Sequence, residues 1–241
     1  MDFVNAMFQS CKNLENVSLT KLKLNLNITL RFCQENGQTL KILNLGGVVG
    51  LDLELISLIV TKCKSLTELS FSQRTKKAGL SMLSEESLKF LTENLTQTIL
   101  KLNLENQVYL EDSHIEELVK RCNKLKVLNL NKCSQLTTYS LRSIVRNLNQ
   151  SLEELDVSEC HHNMETTDEE ILAFNTVIGL RVLNFYFSDE IQFMRLKEQL
   201  PHLLGSMNVY VQLDIANALE KEGKTDGKIW GIQGIDKKNL E

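Results

Sequence analysis

One short pattern, L-x-x-L-x-L with Ile, Phe or Val as substitutes, recurs seven times along the chain and limits what it can fold into. The copies are Leu14, Val17, Leu19; Leu40, Leu43, Leu45; Leu66, Leu69, Phe71; Ile99, Leu102, Leu104; Leu125, Leu128, Leu130; Leu152, Leu155, Val157; and Leu180, Leu183, Phe185. They start at residues 14, 40, 66, 99, 125, 152 and 180, one repeat apart except for a longer step from 66 to 99. A weaker eighth copy is expected at Leu204, Met207 and Val209. Self-similarity at this period is the mark of a solenoid.

The last two apolar residues of each copy alternate with polar ones and so share one side of a short strand. Between strands the apolar residues take helical spacing: Leu55, Ile56, Ile59, Val60; Leu88, Leu91, Leu95; Ile115, Leu118, Val119; Leu141, Ile144, Val145, Leu148. Neither element can bury its apolar face alone, so neighbouring repeats must stack into one core. The expected fold is an α/β leucine-rich-repeat solenoid, a horseshoe with a parallel β-sheet on the concave face and helices on the convex face. Its expected extent is 1–209, about seven or eight repeats, followed by a non-repeat tail, 210–241, docked on the repeats.

Five of the six cysteines mark the repeat subtype. Cys11, Cys63 and Cys122 stand three residues before a repeat's first apolar position; Cys133 and Cys160 stand three residues after a last strand position. These are the two cysteine positions of the cysteine-containing leucine-rich repeat, where a buried thiol serves as a small apolar group. No pair has C-x-x-C spacing, so structural thiols in a reducing compartment, cytoplasmic or nuclear, are expected rather than zinc or disulfides.

The other features carry little chemistry. The chain has 27 Lys and Arg against 31 Asp and Glu, a net charge of −4, which argues against a nucleic-acid footprint. The cluster Arg74, Lys76, Lys77 reads as a solvated loop. No apolar run approaches the ~20 residues of a membrane span. "CHHNME" (160–165) is the one group of ligand-type side chains, and a polar loop is the better reading than a metal site. "LGGVVG" (45–50) lacks the lysine of a phosphate-binding loop; Gly46 and Gly47 are expected to let the backbone turn off a strand. No cofactor, metal or catalytic group is expected, and the chain is read as a binding protein rather than an enzyme. The long step holds an insertion, Arg74 to Ser87, expected to lengthen a strand-to-helix loop at one rim.

The third, fifth and seventh positions of each copy should face away from the core. Among them Glu68, Glu105, Glu154, Asp156 and Tyr186, with the neighbouring Lys132 and Glu159, form the expected protein-binding surface. A polar sheet with a few aromatic anchors suits protein recognition. Beyond about Tyr210 the repeat stops, yet the polar tail holds Ile229, Ile232, Ile235 and the single tryptophan, Trp230. A large aromatic in a polar segment is expected to be mostly buried against the repeats.

Cysteine-containing repeats, then "LKEQLPHLL" (196–204), then a tail with "KIWGI" (228–232), resemble the S-phase kinase-associated protein 2 family of F-box/leucine-rich-repeat receptors over about residues 2 to 235. The resemblance implies substrate recognition within an SCF-type ubiquitin ligase. A protein substrate would sit on the concave face, the tail would fold back along that face, and a cyclin-dependent-kinase accessory protein would assist. In that family a Trp, an Asp and an Arg just past successive strands make the contacts; the matching positions here are Gln73, Lys132 and Glu159, two of them with reversed charge. The chain enters a repeat by Leu14, leaving no room for an F-box, so a Skp adaptor and cullin are expected only if an F-box lies upstream. The alternative is an F-box-less binding or inhibitory module, similar to the antagonist of the mitotic exit network that shares this repeat type.

Overall fold

The computed structural model describes residues 10–72, 83–160, 167–187 and 208–213. The seven repeats appear as strands β1 (Asn16–Ser18), β2 (Ile42–Asn44), β3 (Glu68–Ser70), β4 (Lys101–Asn103), β5 (Val127–Asn129), β6 (Glu154–Asp156) and β7 (Val182–Phe187), with an eighth, β8 (Asn208–Leu213), behind them. All eight lie in one parallel sheet in chain order. Their register is the repeat itself: Val17, Leu43, Leu69, Leu102, Leu128, Leu155, Leu183 and Val209 are successive partners.

Parallel neighbours need a crossover, and helices supply it. These are α1 (Leu26–Asn36), α2 (Leu53–Lys62), α3 (Glu85–Asn94), α4 (Asp112–Arg121), α5 (Thr138–Leu148) and the short α6 (Asp168–Leu172), which continues as a 3-10 turn over Ala173–Thr176. From α1 to α5 each start has a side chain that accepts a backbone N–H, as helix N-termini require. Asn25 accepts from Ile28, Asp52 from Leu55, Ser84 from Ser87 and Thr137 from Tyr139. At α4 the buried His114 accepts from the Glu111 N–H at 3.0 Å through Nδ1. Asp112 at the start of α4 also reaches the next repeat, accepting from the Thr137 N–H at 2.9 Å and the Ser140 hydroxyl at 2.5 Å.

The core runs the length of the sheet between strands and helices. Leu40, Leu43, Leu45, Leu66, Leu69, Phe71, Ile99, Leu102 and Leu104 are all buried, as are the helix residues facing them, among them Ile56, Ile59, Leu88, Leu91, Ile115 and Leu118. Each such side chain contributes about 1.5–3 kcal/mol. Leu14 and Val17 in the first repeat are only partly buried, because no earlier strand among the described residues covers them.

Three expectations are refined. The eighth copy was placed with Met207 at the fourth position; the register instead sets Val209 opposite Leu183, two residues later. The two readings have the same side-chain parity, so alternation could not choose between them. The limit drawn at residue 209 therefore falls inside β8. The long insertion was expected to reach Ser87, but α3 begins at Glu85 with Ser84 as its cap, so the last residues of that segment are helix; residues 73–82 lie outside the described residues. Finally, Cys63, Cys122, Cys133 and Cys160 are buried free thiols as the repeat demands, whereas Cys11 in the end repeat is half-buried.

Candidate protein-binding face

The concave surface is a set of columns, one side chain from each repeat. The strand ladder hands the N–H groups of the sixth and eighth positions to the next strand: Leu45 to Ser70, Leu104 to Asn129 and Leu130 to Asp156, then Lys21 to Gly46, Asn106 to Asn131 and Lys132 to Ser158. The seventh-position N–H is left over. The fifth-position side chain takes it, so Asn44 Oδ1 accepts from Gly46, Asn103 Oδ1 from Glu105 and Asn129 Oδ1 from Asn131, each at 2.9 Å, and Asp156 Oδ1 from Ser158 at 3.0 Å. Asn and Asp suit this because their short side chains reach a backbone N–H two residues on. Much of the concave polarity is thus engaged in closing the strand ends.

The eighth position takes left-handed backbone wherever it is described in the strand-to-helix turns: φ is 61° at Lys21, 70° at Gly47, 61° at Asn106, 63° at Lys132 and 55° at Glu159. This conformation aims successive side chains outward at the end of the sheet. Lys132 and Glu159 meet across the repeat boundary in an ion pair of 3.2 Å. The two positions that carry an Asp and an Arg in the resembled family are here a Lys and a Glu paired with each other.

Other charges pair along the third-position column and beside it. Lys101 bonds Glu68 at 2.8 Å, and Lys126 bonds Glu153, which also bonds Arg181. The Glu68 hydrogen bond, the largest cause, raises the Lys101 pKa, and the negative field of Glu154 adds to it. Lys126, with Arg181 behind it, holds the Glu153 carboxyl below its usual value. Glu105 accepts from the Ser72 hydroxyl at 2.5 Å. Asp156 accepts through Oδ2 from Asn184 Nδ2 at 2.9 Å. Glu154 is half-buried in β6. Glu105, Glu154 and Asp156 therefore face the concavity without an ion pair among the described residues.

Of the residues expected to bind, Glu68, Glu105, Lys132, Glu154, Asp156 and Glu159 lie on this face or its strand-to-helix rim. Tyr186 lies in β7 opposite Gln212, which fixes its backbone only. Gln73 and Trp230, with His161, His162 and Glu165, lie outside the described residues. Among the described residues no group of three or more His, Cys, Asp or Glu could hold a metal, and no helix is long and apolar enough to cross a membrane. Sequence reasoning set Lys101 at an outward-facing third position but left it out of the expected contacts, although its place opposite Glu68 follows from the repeat register. It also passed over Tyr109 and Tyr139, 55% and 65% exposed on the strand-to-helix side, the latter beneath Arg142 with 5.4 Å between guanidinium and ring centre.

Among solved structures, the chain is similar to one from the yeast Rad7 and Elc1 complex, with 14% identity over 89% of this chain and 71% of that one, TM-score 0.43. It is also similar to the leucine-rich repeat-containing protein LegL7 from Legionella pneumophila, with 12% identity over 94% of this chain and 96% of that one, TM-score 0.45. Repeat solenoids of this type use their extended concave surface for binding proteins. The model of the SKP2 LRR domain matches residues 1–237, nearly the whole chain, and the protein belongs to that family.

Proposed function

We propose that this chain is the substrate-recognition domain of an SCF-type ubiquitin ligase receptor, holding a target of cell-cycle type on its concave face for ubiquitin-dependent degradation. The observation that carries the reading is the family match over residues 1–237. The concave columns support it, since they combine half-buried side chains with carboxylates, Glu105, Glu154 and Asp156, that have no ion-pair partner among the described residues. The proposed contact set is Glu68, Gln73, Glu105, Lys132, Glu154, Asp156, Glu159, Tyr186 and Trp230, with the 210–241 tail docked on the repeats through Trp230. The internal Lys132–Glu159 pair presents a pattern opposite to the resembled family's, so the target or the cyclin-dependent-kinase accessory protein must complement a cation at the fifth repeat and an anion at the sixth.

Affinity purification of the full-length gene product from its own cells, with the proteasome inhibited, tests this. The expected result is a target protein recovered together with a Skp adaptor and a cullin. Recovery of a target with neither adaptor nor cullin overturns the ligase role and leaves an F-box-less binding or inhibitory module.

A further inference from the structure

Cys33 is the sixth cysteine, and it occupies neither of the two repeat positions. It lies in α1, and its thiol meets that of Cys63 at an Sγ–Sγ distance of 3.7 Å. The other buried cysteines behave differently. Cys122, Cys133 and Cys160 each point their thiol at a carbonyl of the preceding repeat, Thr96 at 3.5 Å, Leu104 at 3.2 Å and Leu130 at 3.0 Å. Cys63 shares its repeat position with Cys122 but has a thiol where Cys122 has a carbonyl.

Gly37 explains the difference. Three residues before the first apolar position, the other copies have Cys11, Cys63, Thr96, Cys122, Asn149 and Val177, and the second copy has a glycine. A Cβ there would come within 2.4 Å of the Cys33 carbonyl oxygen and 2.7 Å of the Lys62 carbonyl oxygen. With no Cβ, the ends of α1 and α2 close on each other and seat Cys63 against Cys33.

We propose that Cys33 and Cys63 are a dithiol oxidation site, at which a hydroperoxide converts the pair into a disulfide tying α1 to the end of α2. A disulfide needs about 2.05 Å between sulfurs, so the thiols must approach by roughly 1.6 Å. The chemistry balances. The Cys63 thiolate attacks a peroxide oxygen, the O–O bond breaks, and a sulfenic acid forms as hydroxide leaves. The Cys33 sulfur then attacks the sulfenic sulfur; the S–S bond forms, the S–O bond breaks, and the Cys33 proton leaves with the departing hydroxide as water. Two thiols are oxidised by two electrons in all and hydrogen peroxide is reduced to two waters.

The surroundings suit these roles. The hydrogen bond between the two thiols, with the nearby Lys64 charge, lowers the Cys63 pKa against burial, and the same contact raises that of Cys33. Burial pushes the Cys122 and Cys160 thiols up to about 12 and leaves them unreactive. Cys63 is buried at the end of α2 between the exposed Lys62 and Lys64, so a water-sized oxidant would reach it through local opening of that helix end. The disulfide would close a loop across a sequence separation of 30 residues and stiffen the stacking of the first repeat on the second.

The test treats the native full chain with equimolar hydrogen peroxide, alkylates under denaturing conditions and maps the thiols by mass spectrometry. The expected result is a loss of two alkylatable thiols and of about 2 Da, with a dithiothreitol-reversible peptide pair containing Cys33 and Cys63. Cys33→Ser and Cys63→Ser should each abolish that peptide pair. If all six cysteines remain alkylatable, or the bond joins other cysteines, or it forms only in denaturant, the proposal is overturned; the wild-type mapping decides this even if a variant fails to fold.

Discussion

Left-handed backbone at the eighth position is easy for Gly47 and Asn106 and costs about 1 kcal/mol at a residue such as Lys132 or Glu159. Their exposed ion pair returns at most about 1 kcal/mol. Stability alone does not favour a Lys and a Glu at these places, which fits a role in contact. Gly37 illustrates the opposite constraint, an ordinary φ with no room. We expect Gly37→Ala to destabilise the fold by about 2–3 kcal/mol, because backbone carbonyls rather than flexible side chains would have to move. Gly179→Ala serves as the control, since its nearest neighbour, the Leu152 carbonyl oxygen, is 3.4 Å from the Cβ position. Urea denaturation of the two variants checks this; equal losses would contradict it. The glycine pair after β2 was legible in sequence, and Gly47 does turn left-handed. The same turn at Lys132 and Glu159 was not, because neither residue type announces it; only the alignment of repeats does.

Among the elements, strands and long helices could be read directly because their apolar periods differ, two against 3.6. What could not be read is how side chains close the ends. Apart from Asn184, whose buried Oδ1 has no partner among the described residues, the fifth-position Asn44, Asn103, Asn129 and Asp156 each accept their own strand's leftover N–H. His114 is another such closure. Desolvation, its largest influence, lowers its pKa from the usual 6.5, so the folded chain keeps the imidazole neutral with Nδ1 accepting from Glu111. The unfolded chain takes up the proton first as pH falls, so the contribution of His114 is fully present above about 6.5 and is lost progressively below it. We expect stability measured by thermal unfolding to fall as the pH drops below about 6.5, and His114→Gln, which can still accept from the Glu111 N–H, to flatten that slope. An unchanged slope in the variant would assign the pH dependence to other groups. β8 shows the remaining limit: alternating Val209, Val211 and Leu213 fit either of two registers, and pairing with β7 selects one.

At the scale of the molecule, stacking makes the sheet continuous, so one concave face displays side chains from repeats far apart in sequence. Glu105, Glu154 and Asp156 thereby share a surface, whereas Glu116 and Glu117 sit on α4 at the convex side, bonded to Lys120. The central claim is that partners are held by the concave columns. The most direct measurement is quantitative affinity capture from the native cell extract, comparing Glu154→Lys/Asp156→Lys with the convex Glu116→Lys/Glu117→Lys pair, each matched to wild type by its far-ultraviolet circular dichroism. The account predicts a loss of roughly tenfold or more in captured partner for the concave pair alone; wild-type capture by the concave pair, or an equal loss for the convex pair, would contradict it.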